Sequence, residues 1–191
     1  DEVIFSPLGI KDITFVPTDD VMKRMKQQYV VDLRYFTAVP KTPECVYRLT
    51  DNYESGGAGM IASLNDYIKF ADALACGESE TGYRILKPET VELMKTNQLG
   101  EAGLKSLCFN CDRFLGYGYG LGVRTMMKPD LNLSLGPVGE FGWDGAAGAY
   151  CMIDTDNHLS IFYAQHVLSC GYAYQNVHRS IRNLVYKALE K

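Results

Sequence analysis

Apolar residues recur at helical spacing in two long segments of the chain. The first segment begins after Ser63 and ends at Gly77. Serine is a common N-cap residue, and Asp66, three residues after Ser63, completes the pattern of a capping box. The second predicts an amphipathic tail helix over about residues 172–190. The apolar positions are Tyr67, Ile68, Phe70, Ala71 and Leu74 in the first segment and Val177, Ile181, Leu184, Val185 and Ala188 in the second. Shorter helices are predicted from about Thr18 to Met25 and from Pro88 to about Asn97.

The C-terminal half of the chain also contains three strand-like segments, at about residues 117–125, 139–153 and 158–167. In the first, residues of one parity are large and apolar, whereas the other parity is mostly glycine, which leaves one face open to close backbone approach. The polar run Asp154-Thr-Asp-Asn157 predicts a hairpin turn between the other two.

This order of elements predicts an α+β fold in which an antiparallel β-sheet is covered by the C-terminal helix. Residues 1–115 form its helical and loop region, and residues 116–191 supply the strands and the tail helix of the same structural unit. The 191 residues are 47% hydrophobic and 22% charged, which suits one globular core.

Charge and hydropathy argue against nucleic acid and membranes as partners of this chain. A net charge of −4 with no basic cluster argues against nucleic acid, and the chain as given has no apolar run long enough for a membrane span or a signal segment. A cytoplasmic protein without a membrane partner is expected.

Cysteine and histidine offer little that would bind a cofactor. Six cysteines are too sparse for a disulfide scaffold, and Cys108 and Cys111 have the spacing of a zinc half-site or redox dithiol without the further ligands or strand context that either needs. The three histidines form no local ligand set, although His166, at a strand end, is the best candidate for an active-site neighbour. We therefore expect no metal and no cofactor.

Glycine is concentrated in two segments. Residues 116–122 match neither a dinucleotide fingerprint nor a phosphate loop, which leaves strand glycines as the interpretation. Residues 139–150 contain the only tryptophan, four glycines and three alanines, and they leave a trough almost free of side chains. Either a ligand lies along that backbone or the strand packs closely under a helix.

Five ordered segments together resemble a known family, the serine β-lactamase-like hydrolases. This family includes class C β-lactamases, D-alanyl-D-alanine peptidases and family VIII esterases. The segments are Pro7-Leu-Gly-Ile-Lys-Asp-Ile-Thr-Phe15, Gly56-Gly-Ala-Gly-Met-Ile-Ala-Ser63, Leu86-Lys-Pro-Glu-Thr-Val-Glu-Leu-Met94, Tyr119-Gly-Leu-Gly-Val123 and Gly142-Trp-Asp-Gly-Ala-Ala-Gly148. The resemblance implies part of a β-lactamase/transpeptidase-like fold and an acyl-enzyme mechanism on an ester or amide.

By the same resemblance, Trp143, Asp144 and Gly145 look like the third catalytic motif of the family, which lies on a sheet strand. The backbone N–H of Ala146 would then be one donor of the oxyanion hole, where negative charge develops during acyl transfer.

Two other family motifs are not found in their expected places. No serine in the chain is followed by lysine three residues later, and Tyr174-Gln-Asn176 matches the Tyr-x-Asn motif only in letters, since it follows the third motif. Together with a first residue that is Asp1 and not methionine, this predicts the C-terminal portion of a hydrolase, inactive by itself because the nucleophile is elsewhere. The missing N-terminal half or a second copy would cover exposed sheet. The alternative is a non-catalytic module of the same descent that binds a ligand or partner.

Asp144 stands where family members commonly have a small or hydroxyl residue. A carboxylate beside the cleft would repel an anionic substrate, so we expect a neutral small-molecule ester or amide to be preferred to a penicillin.

Overall fold

The computed structural model describes residues 1–41, 53–57, 59–109 and 112–190. The α-helices of this part are α1 Asp19–Arg24, α2 Leu64–Cys76, α3 Pro88–Lys95, α4 Glu101–Phe109, α5 Pro129–Asn132 and α6 His178–Leu189. The strands are β1 Ile13–Thr14, β2 Gln28–Asp32, β3 Thr37–Lys41, β4 Ile61–Ala62, β5 Tyr117–Tyr119, β6 Arg124–Met126, β7 Phe141–Asp144, β8 Tyr150–Asp154, β9 Leu159–Tyr163 and β10 Val167–Leu168. None of the described helices is long and apolar enough to cross a membrane.

The main sheet is antiparallel and has the order β5-β6-β7-β8-β9. Neighbouring strands are also neighbours in the chain, and the polar turn after Asp154 joins β8 to β9 as predicted. The α+β class with an antiparallel sheet and a covering C-terminal helix is confirmed.

The core lies on both faces of β8, every residue of which is buried. Because side chains of a strand alternate between faces, Cys151 and Ile153 pack toward α2, while Tyr150 and Met152 pack toward Tyr186 of α6. The sheet is therefore enclosed between α2 and the tail helix. Of the stripe predicted for the tail helix, Ile181 and Val185 pack on the sheet, but Leu184 is exposed.

The predicted caps of α2 are confirmed, with one difference. The Ser63 hydroxyl accepts from the Asp66 N–H at 3.2 Å, and Gly77 ends the helix with a left-handed φ of 79°. The Asp66 carboxylate does not complete a capping box but accepts the N–H groups of Lys11 and Asp12, at 2.8 and 2.6 Å. It therefore fastens the N-terminal segment to α2.

Asp66 is expected to stabilise the fold in a pH-dependent way. Burial alone would raise the pKa of this carboxyl, but bonds from Lys69 and from the N–H groups of Asp12 and Lys11 outweigh it and lower the pKa to about 2. Because the folded pKa is depressed, the stabilisation is fully present above about pH 5 and is lost as the pH falls toward 2. Asp66→Asn should cost about 1–2 kcal/mol at pH 7 and clearly less at pH 3, measured by urea denaturation.

The matched control for that measurement is Asp20→Asn, which removes an exposed carboxylate paired with Arg24. Its cost should stay below about 1 kcal/mol at both pH values. An Asp66→Asn penalty that is the same at pH 3 and pH 7 would contradict the assignment of the stabilisation to the ionised carboxylate.

Three strand predictions were wrong in their extent. Residues 117–125 are not one strand but the hairpin of β5 and β6, which turns at Gly122 with a φ of 79°. Residues 139–153 form two paired strands, β7 and β8, joined by residues 145–149. The segment 158–167 ends as β9 at Tyr163, and β10 pairs with β2 in parallel in a separate sheet.

The glycine face of residues 117–125 is nevertheless used for close backbone approach. A Cβ at Gly120 would overlap the carbonyl oxygen of Met94, and one at Gly118 would overlap the Asn97 side chain. The neighbour is thus the end of α3 and not a ligand. Helix α4 was not predicted, because Gly100 and Gly103 make its segment look like a loop.

Candidate active site

The third-motif segment lines a cavity of about 820 Å³, a volume typical of small-molecule sites. Strand β7 leads into this cavity wall, which residues 145–149 continue. The opposite walls come from β2, the end of β3, Gly57, residues 59–61, and the end of β10 with Ser169. The lining includes Gln28, Lys41, Met60, Arg113, Trp143, Asp144, Gly145, Ala146, Leu168, Ser169 and Tyr174. All four predicted site residues, Trp143, Asp144, Gly145 and Ala146, therefore border one cavity.

A larger open depression of about 1010 Å³ lies at the C-terminal end of α2. It is lined by residues such as Asp72, Cys76 and Glu78 and includes no residue of the third motif. We therefore place the candidate site in the smaller cavity.

Trp143 forms an aromatic wall of the cavity. Its side chain is 41% exposed, stacks on Phe114 with 5.8 Å between ring centres, and meets the ring of Tyr119 edge-on at 5.6 Å. Such a cluster offers apolar surface to the hydrophobic part of a ligand.

Asp144 borders the cavity, but its carboxylate lies close to Arg124 and His178 inside the protein. Its side chain is only 7% exposed, and Oδ1 lies 3.6 Å from Nη2 of Arg124 and 3.7 Å from Nδ1 of His178. Burial works against the charge of Arg124, but Asp144 and other neighbours outweigh it and raise the pKa of Arg124 well above its usual value. Asp144 is thus paired with Arg124 inside the protein, and the expected preference for a neutral substrate stays a prediction.

Glycines shape the loop that follows Asp144. The Gly145 N–H donates to the Ala149 carbonyl at 2.8 Å, and the Gly148 N–H donates to the Gly145 carbonyl at 2.9 Å. Gly148 has a φ of 87°, and a Cβ there would overlap the Gln165 side chain. The trough of residues 139–150 therefore contains features of both interpretations. Gly148 allows close packing against Gln165, and Ala146 borders a cavity that could hold a ligand.

Tyr174 holds the peptide that carries the predicted oxyanion donor. Its hydroxyl donates to the carbonyl oxygens of Gly145 and Ala146, at 2.9 and 2.8 Å, and the Ser169 N–H donates to the Ala146 oxygen at 3.1 Å. In a planar trans peptide the N–H points opposite to the carbonyl, so the Ala146 N–H is directed away from Tyr174. Within the described residues this N–H makes no hydrogen bond.

His178 fixes the other end of the same loop. Its Nε2 lies 2.9 Å from the Gly148 carbonyl oxygen, and its ring stacks on Tyr150 at 4.8 Å. Burial lowers the pKa of His178 below its usual value, which favours a neutral ring that donates from Nε2. The π-helical turn Ala173–Val177 immediately before α6 brings Tyr174 and His178 to the loop, and such turns are frequent at functional sites.

The sequence did not identify Tyr174, His178 and Arg113 as site residues. Tyr174 was set aside because its Tyr-x-Asn match follows the third motif. Its side chain nevertheless reaches the loop after Asp144 from the tail segment. This contact does not give Tyr174 the catalytic role of the family's Tyr-x-Asn motif. The available signal was the spacing of Tyr174 and His178, which lie four residues apart on the amphipathic tail segment and so share a face. His166, the favoured histidine, is exposed and does not line the cavity.

No cluster of three or more potential metal ligands occurs in the part of the chain that the structure describes. Cys108 is half-buried in α4, and its proposed companion Cys111 lies outside the described residues. The dithiol therefore stays an untested alternative.

Comparison with known proteins adds three findings. The family model named Beta-lactamase matches residues 1–169. "Protein Rv1367c" of Mycobacterium tuberculosis is 27% identical over 172 residues, which are 85% of this chain and 41% of that protein. This chain thus spans less than half the length of this curated relative.

Solved structures share the fold. The LovD6 mutant of simvastatin synthase from Aspergillus terreus superimposes with a TM-score of 0.79 and 22% identity, over 99% of this chain and 49% of the other. EstCE1, described as a hydrolase with promiscuous acyltransferase activity, gives a TM-score of 0.72 and 22% identity, over 97% of this chain and 49% of the other. At this level of identity the likeness establishes architecture.

Proposed function

Because the chain belongs to the Beta-lactamase family, we propose that it forms one wall of the active site of a serine hydrolase that acts on a small-molecule ester or amide by an acyl-enzyme mechanism. The observation that carries this proposal is the Ala146 N–H, which makes no hydrogen bond within the described residues at the border of an 820 Å³ cavity. Its peptide is held by Tyr174, so the donor is fixed in place before charge develops.

The mechanism divides the work between this chain and polypeptide outside it. A serine hydroxyl supplied with its lysine by a Ser-x-x-Lys segment attacks the substrate carbonyl, and the lysine takes the proton. The Ala146 N–H binds the resulting oxyanion. Collapse of the tetrahedral intermediate expels the alcohol or amine, which takes the proton back from the lysine. Water or an acceptor alcohol, deprotonated in the same way, then attacks the acyl-enzyme, releases the acyl group and restores the serine hydroxyl. The aromatic wall at Trp143 holds the apolar part of the substrate.

The main sheet has an edge strand at which additional polypeptide could pair. In the described residues, β9 lies at an edge of the main sheet and pairs only with β8. An unpaired edge is a template for another strand, so we propose that the N-terminal half of the enzyme, or a second copy of this chain, pairs there. The 191 residues alone should not turn over substrate, since they contain no Ser-x-x-Lys.

The test uses the longer natural polypeptide that includes a Ser-x-x-Lys segment. It should hydrolyse p-nitrophenyl butyrate and gain the mass of one butyryl group on that serine, and serine→Ala should abolish both. Hydrolysis of a chromogenic cephalosporin without any turnover of p-nitrophenyl esters would contradict the assignment of an ester substrate.

The missing Ser-x-x-Lys favours one second candidate function, a non-catalytic module that binds a ligand in the same cavity. The same experiment separates the two. If the longer polypeptide binds ester without becoming acylated, the binding module is the function.

A further inference from the structure

A cavity of only about 20 Å³ lies among the side chains that hold the loop after β7. Asp144, Tyr150, Tyr174 and His178 are among the residues that line it. Roughly 10–15 Å³ is enough for one water molecule, provided that two to four polar groups are there to bind it. By volume, this cavity therefore has room for one small ligand and for little else.

Four buried polar atoms without a hydrogen-bond partner among the described residues belong to side chains that line this cavity. They are Oδ1 of Asp144, Nδ1 of His178, the hydroxyl of Tyr150 and Nε of Arg113. A buried polar group that is left unpaired destabilises the fold, so native proteins nearly always provide it with a partner, often an ordered water. Four such atoms around one small cavity point to a ligand that satisfies them together.

Two of these atoms are acceptors that face each other. Nε2 of His178 lies 2.9 Å from the Gly148 carbonyl oxygen, so Nε2 carries a proton and Nδ1 of a neutral ring has a lone pair. Nδ1 lies 3.7 Å from Oδ1 of Asp144, which is too far for a direct hydrogen bond. Since two acceptors cannot bond to each other, this pair needs a donor from elsewhere.

A second proton on His178 would also provide that donor, but the surroundings of the ring oppose it. Burial is the largest cause that lowers the pKa of His178, and the charges of Arg124 and Arg113 act in the same direction. The Asp144 carboxylate and the Gly148 carbonyl favour the charged ring, and they do not outweigh burial and the two cations. The ring is therefore neutral near pH 7.

An anion matches these four atoms less well than water does. Chloride would accept hydrogen bonds from Arg113 and Tyr150, but it would place a second negative charge beside Asp144 and offer no donor to either acceptor. A water molecule has two O–H donors and two lone pairs. It therefore complements two acceptors and two donors.

We propose that this cavity binds one water molecule, which donates hydrogen bonds to Oδ1 of Asp144 and Nδ1 of His178 and accepts from the donors of the same lining. Arg124 lies 3.6 Å from Asp144, and His178 holds the Gly148 carbonyl. The water thus completes a polar connection from the buried charge cluster to the loop that carries Ala146. This role does not depend on whether the complete protein is a hydrolase.

Nitrogen NMR of the 191-residue chain at pH 7 tests the protonation state that the proposal requires. A long-range ¹H–¹⁵N correlation spectrum should show His178 protonated on Nε2 and unprotonated on Nδ1. The other two histidines, His158 and His166, are exposed and lie outside this cavity, so His158→Gln and His166→Gln identify their signals and should leave those of His178 unchanged. A proton on Nδ1 overturns the proposal, because Nδ1 could then donate directly to Asp144.

A crystal structure of the same chain at pH 7 tests for the water itself. Density for one water molecule should lie about 2.7–3.2 Å from both Oδ1 of Asp144 and Nδ1 of His178. Replacing chloride by bromide in the crystal should give no anomalous peak at this position. A bromide peak there, or no density between the two atoms, overturns the proposal. Both measurements are made without substrate, so neither outcome bears on the proposed hydrolase activity.

Discussion

Replacing Arg124 by methionine is expected to lower the free energy of unfolding by about 3–5 kcal/mol at pH 7, the largest stability effect among our predictions. Arg124 is 2% exposed and lies 3.6 Å from the Asp144 carboxylate and 4.0 Å from that of Glu140. Its Nη1 and Nη2 also donate to the Cys151 carbonyl, each at 3.3 Å. Methionine fills the space but leaves two buried carboxylates without this cation, and an unpaired buried charge is costly.

Guanidinium denaturation of the folded chain measures this loss. The penalty should shrink as the pH falls through 5 to 4, because burial raises the pKa of the Glu140 carboxyl and it becomes neutral by protonation in the folded variant. Asp144→Asn in the Arg124→Met background should recover part of the stability. Arg84→Met, which breaks an exposed pair, should cost less than about 1 kcal/mol. A comparable small loss for Arg124→Met would mean that Arg124 does not neutralise the cluster.

Replacing Ala146 by proline is expected to reduce kcat for ester hydrolysis by the longer polypeptide about 100- to 1000-fold. Proline removes the backbone N–H that we assign to the oxyanion and changes no side-chain charge. Since that donor acts on charge that develops in the transition state, kcat should fall much more than KM rises. Steady-state kinetics with p-nitrophenyl butyrate measures the effect.

Ala146→Gly is the matched control, because it keeps the N–H and should retain activity within a few-fold. Tyr174→Phe removes the hydroxyl that holds the Gly145 and Ala146 carbonyls, so it should lower kcat by about tenfold through a misplaced donor. An Ala146→Pro variant that stays folded by circular dichroism and keeps full kcat would remove Ala146 from the oxyanion hole.

Local sequence patterns were sufficient for the helices that carry the core. The Ser63 cap, the Gly77 stop and the apolar stripe of α2 are written in neighbouring residues, and the structure confirms them. Of the stripe predicted for α6, Ile181 and Val185 pack on the sheet, whereas Leu184 is exposed. The third-motif segment was also visible, because a single tryptophan within a run of glycine and alanine is unusual in a strand. Its role in catalysis stays a prediction.

The ends of the strands were harder to predict from the sequence than the helices. In residues 117–125 glycine alternates with large residues through the turn itself, so Gly122 looked like one more strand glycine although it reverses the chain. The turn between β7 and β8 was hidden in the same way, because Gly145 and Gly148 are typical both of turns and of closely packed strands.

The sequence by itself determined the α+β class and the two helices that cover the sheet, because these depend on periodicity and on caps within a few residues. Only the tertiary structure decided the chemistry of the site. It turned Asp144 to Arg124, brought Tyr174 and His178 to the loop after β7, and left Arg113 in the cavity wall without an anionic partner in the described chain. These contacts join residues 20 to 30 positions apart. Whether a charge faces a cavity depends on which neighbours balance it, and no local pattern records that.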